Sequence, residues 1–209
     1  SMNFFIKILF LCFQIAALVA AIWSWNRYKE TTQRYFLWFL VYVVCHEISG
    51  LCYHLFFKGH NDIIHNLFTL ISFGFYFWWF YKILAKRKWF VYILFVAFFI
   101  PFLNDLITKS PIENLYLYPI IIGAFSVLVL TISYFIELLN TDSITSFAKS
   151  QRFWIVTGLF CFYIGLLPLL IFHNHLDYGG HFYRIVITVL NAVLYGCIFK
   201  SFLCLEKKK

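Results

Sequence analysis

Glu47 has the strongest chemical claim in this chain. It sits in Cys45-His46-Glu47-Ile48-Ser49-Gly50, in the middle of a long apolar run, and no choice of helix ends brings it near water. A carboxylate at bilayer depth costs roughly 3 kcal/mol on insertion scales and marks a functional site by default. Glu47, Gly50 and His54 are spaced three and four apart, which puts them on one helical face, with His54 about 10 Å along the axis. Two further apolar segments carry stripes of the same spacing: His65, Thr69, Ser72 and Tyr76, then His181, Arg184, Thr188, Asn191 and Tyr195. All three stripes begin at one surface and run toward the middle. Polar residues in lipid turn toward the bundle or a wet cavity. A single stripe also reads as hydrogen-bonding glue between helices; three that converge on an ionisable residue predict a cavity with Glu47 near its floor. The candidate ligand-binding residues are Glu47, His54, His65, Thr69, Ser72, Arg184, Thr188 and Asn191.

The natural partner for Glu47 is Arg184, although Arg184 lies only about one turn into its segment; Thr188 and Asn191 are the alternatives. A paired Glu47 would be an anion. An unpaired one would keep its proton and serve as a hydrogen-bond donor or proton carrier, and the sequence leaves both open. His46 points about 100° away from Glu47, and Gly50 stands where the H-E-x-x-H metalloprotease pattern needs its second histidine. A different metal chemistry is offered by His173-Asn174-His175-Leu176-Asp177-Tyr178-Gly179-Gly180-His181. There His173, His175, Asp177 and His181 have donor types that suit zinc, with His54, His60, Asp62 and His65 as possible additions. The spacing matches no standard zinc site, and a solvated loop or a pH-sensing histidine cluster is the alternative.

The elements that must position these residues follow from composition. The chain has 209 residues, 63% of them hydrophobic and 12% charged, with 28 Phe. Soluble domains average about 25% charged residues, and a chain of this size cannot hide so much apolar surface within itself, so lipid is its solvent. The net charge of +8 is explained by where the charges sit rather than by nucleic acid, which is excluded as a partner. The six cysteines lie in apolar runs with no C-x-x-C pair and read as small buried residues. A spanning helix needs about 20 apolar residues. Seven segments qualify: 3–25, 35–57, 62–84, 89–107, 118–139, 153–174 and 181–204. The first has a signal-like start, but its apolar run continues to Trp25, so a span is expected. The expected fold is all-α: one polytopic domain, a bundle of seven transmembrane helices, with no connection long enough for a second domain.

Orientation follows from the basic residues. Arg27, Lys29, Arg34, Lys82, Lys86, Arg87, Lys88, Lys149, Arg152, Lys200, Lys207, Lys208 and Lys209 gather on one side, against Lys7, Lys58, Lys109 and Arg184 on the other. The positive-inside rule predicts the N-terminus outside and the C-terminus in the cytoplasm. All seven Trp fall in the expected cytoplasmic half, as an interfacial belt would. All seven His fall at mid-membrane or in the expected outer half, so the chemistry is expected to face outward.

Lys200 lies near the end of the seventh segment rather than at its middle, which argues against a retinal Schiff base. Asn191-Ala192-Val193-Leu194-Tyr195 lacks the proline of the corresponding motif in G-protein-coupled receptors. The segments Asn61-Asp62-Ile63-Ile64-His65-Asn66-Leu67-Phe68, Phe153-Trp154-Ile155-Val156-Thr157-Gly158 and Leu190-Asn191-Ala192-Val193-Leu194-Tyr195 resemble small uncharacterised seven-helix membrane proteins of Bacteroidota-type bacteria. Those proteins look like stand-alone relatives of the membrane domains of bacterial sensors. The resemblance covers about a sixth of the chain, and it implies a bacterial inner-membrane location and no particular chemistry.

The expected function is receptor-like or sensor-like binding of a small or lipidic ligand in an outward-facing polar cavity. Because the connections are short, signalling would need a protein partner. The alternatives are a zinc-dependent membrane hydrolase acting on a lipid, with Glu47 or Asp177 as general base, and a proton-coupled transporter with Glu47 as carrier, which no inverted repeat supports.

Overall fold

A computed structural model describes residues 2–56, 62–112, 114–140, 147–172 and 180–204. All regular structure among them is helical. The elements in order are α1 (Met2–Trp23), the short α2 (Trp25–Tyr28), α3 (Arg34–Phe56), α4 (Asp62–Ile83), α5 (Lys88–Thr108), α6 (Leu117–Leu139), a 3-10 turn (Phe147–Lys149), α7 (Gln151–Ile171) and α8 (His181–Leu203). All of the helices except α2 are long and apolar enough to cross a membrane, which gives the chain the architecture of a multi-pass membrane protein. Their bounds match the apolar segments to within about one turn. The difference lies at the end of the first segment. There α1 stops at Trp23, and a turn at Ser24 leads into α2.

Tyr28, which ends α2, folds back under the bundle. Its hydroxyl donates to the Ala21 carbonyl at 2.7 Å, one of the last-turn carbonyls of α1 that lack an intrahelical partner. Its ring lies 5.0 Å from Phe202 of α8. Burial pushes the Tyr28 hydroxyl pKa well above its ordinary value.

The long helices form a closed ring. Each packs on its neighbours in sequence, α8 returns to α1, and α4 reaches across to α6. Two seams of this ring are built in opposite ways. Along α7 and α8, glycines let the backbones approach, as in many membrane helix pairs. A Cβ on Gly158 would stand 2.9 Å from the Cys197 Cβ and 3.1 Å from the Leu194 carbonyl oxygen, while one on Gly165 would strike the end of the Leu190 side chain. Along α3 and α4, aromatic rings hold the helices apart. Tyr35 meets Trp78 at 4.8 Å, Phe39 stacks on Phe75 at 4.3 Å, and Tyr42 stacks on Phe68 at 5.8 Å. His46 ends this ladder, 4.0 Å from Phe68 and 5.5 Å from His65. Positions 35, 39, 42 and 46 are one helical stripe, and 65, 68, 75 and 78 are its antiparallel counterpart.

The connections are tied by side chains. Asn66 donates to the carbonyls of Pro111 and Asn114, at 3.1 and 2.8 Å, and accepts from the Tyr116 amide at 3.0 Å, which fixes the link between α5 and α6 onto α4. Glu137 accepts from the amides of Ala85 and Lys86 at 2.8 and 3.0 Å, which pins the α4–α5 link to the end of α6. Asp105 pairs with Lys109 one turn further along α5, at 2.8 Å.

Candidate functional site

Glu47 ends a buried stripe of α3 formed by Phe36, Leu40 and Val43. This is a different face from the aromatic ladder, so Glu47 looks into the ring while His46 looks toward α4. The groups that meet Glu47 come chiefly from α1. Gln14, only 4% exposed, is a neighbour of the Glu47 carboxyl and of the Tyr195 hydroxyl on α8. Lys7, two turns from Gln14 on the same face, is close enough to act electrostatically on both Glu47 and His65. Small residues make this approach possible: Ala17, Ala20 and Ala21 of α1 are buried and let α3 and α8 pack closely.

The polar thread continues past Tyr195. Tyr76 of α4 and Tyr163 of α7 meet edge to face with ring centroids 6.3 Å apart, and Tyr195 is a neighbour of both. Five of the spanning helices therefore bring Lys7, Gln14, Glu47, Tyr76, Tyr163 and Tyr195 into one intramembrane cluster. His46 and His65 flank it through Lys7 and the ladder.

Several buried atoms of α1, α3 and α4 have no hydrogen-bond partner among the described residues, Gln14 Oε1, His46 Nε2 and Ser72 Oγ among them. These three lie at similar depths, 10 to 12 residues from the helix ends that share His181. An unsatisfied buried polar atom costs about 1–3 kcal/mol, and such atoms are ordinarily met by ordered water or a ligand.

The stripes predicted from spacing are used unevenly. On α8, Thr188 donates back to the Arg184 carbonyl at 2.7 Å, and Asn191 donates to the Ile187 carbonyl at 2.9 Å. On α4, Thr69 donates to the His65 carbonyl at 2.9 Å and Ser49 of α3 to that of Cys45 at 2.8 Å. These hydroxyls and the Asn191 amide are spent on their own helices, as Ser and Thr in helices often are. Arg184 forms no ion pair with Glu47 among the described residues. The expected Arg184–Glu47 pair is thus replaced by the Lys7, Gln14 and Tyr195 neighbourhood, because closure of the ring places α1 against both α3 and α8. Ser72 is buried on α4, and His65 meets His46 across the α3–α4 seam. Gln14 and Lys7 were legible as a two-turn pair on one face of the first segment, but as a lone pair in a strongly apolar run they did not stand out as a stripe.

The side chain of His54 lies outside the described residues, as do His60, His173, His175 and Asp177. His181 is described and exposed. Among the described residues, no three His, Cys, Asp or Glu side chains converge to hold a metal ion.

No protein-family model matches the chain, no curated protein resembles it closely enough to be counted a relative, and no solved structure matches its fold.

Proposed function

We propose that the protein is a receptor-like or sensor-like membrane protein that binds the polar group of a small or lipidic ligand at the Lys7–Gln14–Glu47–Tyr195 cluster. The observation that carries this reading is the buried, unpartnered Gln14 Oε1 beside Glu47. Gln14 Oε1 is an acceptor beside the Glu47 carboxyl, and a ligand bearing a donor would satisfy it. The Lys7 ammonium and the Glu47 carboxyl group would orient it. Access is proposed from the helix ends that carry His181, the ends poorer in basic residues and so expected outside the cell.

The test is the set of molecules that travel with the purified protein. Full-length protein extracted in mild detergent is examined by native mass spectrometry beside Glu47→Gln and Gln14→Leu, with folding checked by circular dichroism. The expected result is a discrete mass adduct on the wild-type chain that both folded variants lose. Identical adducts on all three proteins would overturn the reading.

A second reading, proton-coupled transport, is favoured by the continuity of the thread from Lys7 through Glu47 and Gln14 to the three tyrosines. It requires acidification of proteoliposomes that Glu47→Gln abolishes. A purely binding protein shows none.

A further inference from the structure

A second region, at the opposite end of the bundle from His181, has the form of a lipid site. Where α3 begins and α4 ends, a cavity of about 330 Å³ is lined by polar residues that include Glu30, Thr32, Arg34 and Lys82. Directly above it, between α3 and α4, runs a groove of about 450 Å³ lined by Trp38, Phe39, Tyr42, Ile71 and Phe75. Both sizes fall near or within the range of about 300–1,000 Å³ typical of ligand clefts. Tyr35 and Trp78 line both spaces, so the two are one continuous surface, polar at the membrane boundary and apolar for the next 10 Å or so along the helices.

The aromatic ladder explains why the groove exists. Rings stacked between α3 and α4 keep the backbones apart, and the floor they form is left open on the lipid side. Trp38 is 64% exposed, and Ile71, Trp78 and Tyr35 are each between 37 and 39% exposed. The polar end is organised as well. The Arg34 guanidinium donates to the Tyr35 hydroxyl and lies 4.6 Å from the centre of that ring, which holds it at the mouth of the groove. That bond uses one of its five N–H donors. Arg34 and Lys82 outnumber Glu30 in the lining, so the polar end is net cationic. A cation beside a groove is complementary to a phosphate joined to an acyl chain, and Arg in particular matches phosphate geometry.

We propose that the α3–α4 seam binds one anionic phospholipid, with its phosphate on Arg34 and Lys82 and an acyl chain in the aromatic groove between Trp38 and Ile71. The site is separate from the Glu47 cluster and does not depend on the function assigned to that cluster. A second protein chain is a poorer occupant, because the groove is apolar along its length and is capped by cations at one end only.

The test uses full-length protein in bilayers containing equal amounts of phosphatidylglycerol and phosphatidylcholine, with native mass spectrometry of the lipids retained on release. The wild-type chain is expected to retain a single phosphatidylglycerol in preference to phosphatidylcholine. The double variant Arg34→Gln, Lys82→Gln is expected to lose that preference by about tenfold, since the charge-assisted hydrogen bonds to the phosphate are removed. Ile71→Trp, which fills the groove without changing charge, is expected to lower retention several-fold. Lys86→Gln, Arg87→Gln is the control: it removes two cations from the same end, but from the separate recess beside Glu137, and should leave retention unchanged. The proposal is overturned if phosphatidylcholine is retained equally by the wild type. It is also overturned if the Arg34, Lys82 variant keeps its preference, if the control loses as much as that variant, or if the filled groove still holds the lipid at wild-type level.

Discussion

The α7–α8 and α3–α4 seams join neighbouring helices of one ring and could hardly be built more differently. At α7–α8 the absence of side chains does the work: Gly158 and Gly165 bring backbones together until a single added carbon collides. At α3–α4 large side chains do it, and rings that meet at 4 to 6 Å leave a groove facing lipid. Lipid tails are as apolar as Leu or Phe, so burial alone does not drive helices together in a membrane. What remains is close van der Waals contact, which the glycine seam maximises, and specific ring geometry, which the aromatic seam uses. The first suits a rigid wall. The second leaves a surface that a ligand can enter.

The largest effect should come from breaking the rigid seam. Gly158→Val places branched carbons against the Leu194 carbonyl and the Cys197 Cβ, both fixed to α8, and is expected to destabilise the protein by about 3 kcal/mol, the upper end of overpacking costs. Gly165→Ala meets only the movable end of Leu190 and should cost about 1 kcal/mol. Unfolding in mixed micelles measures both, and equal losses would show that the α7–α8 backbones are not in contact at Gly158. Asn66→Ala tests whether the α5–α6 link is held by α4. Removing three hydrogen bonds to partly buried backbone groups should cost about 2 kcal/mol and speed amide exchange around Tyr116.

On the open seam, Trp78→Ala should cost only about 1 kcal/mol, the worth of an aromatic pair beyond its area, because Trp78 is already partly exposed. A loss as large as that of Gly158→Val would erase the contrast between the seams. The smallest effect at neutral pH belongs to Tyr28, which ties α1 to α8. Tyr28→Phe loses one hydrogen bond, worth about 1 kcal/mol or less. Because burial raises the folded-state pKa of Tyr28, the folded protein binds more protons than the unfolded one above about pH 10. Its contribution is therefore fully present below that pH and is lost as pH rises further. Thermal melts should show a steep alkaline fall that Tyr28→Phe flattens.

The seven spans were legible from the sequence because a membrane imposes length and apolarity on every crossing, and the short polar breaks left little freedom in placing the ends. The alternation of basic residues and histidines between the two ends followed from the same breaks. Glu47 was legible as a site because a carboxylate within an apolar span has no bland explanation. Its neighbours were not legible. In a soluble helix the polar face points to water and fixes the rotation of the helix; here lipid and protein interior are equally apolar, so the periodicity of α1 or α8 does not say which face looks inward. Thr188 and Asn191 read as cavity residues because spacing cannot distinguish a side chain that reaches across the bundle from one that bonds its own backbone. Only the packing of α1 between α3 and α8 decided that Gln14 and Lys7 meet Glu47, and only the ring stacking between α3 and α4 decided that Arg34 and Lys82 stand at the mouth of an apolar groove. The sequence by itself determined what must cross the membrane and which residue is costly there. The tertiary structure decided which side chains meet that residue, because contact depends on helix order and rotation, and a uniformly apolar sequence encodes neither.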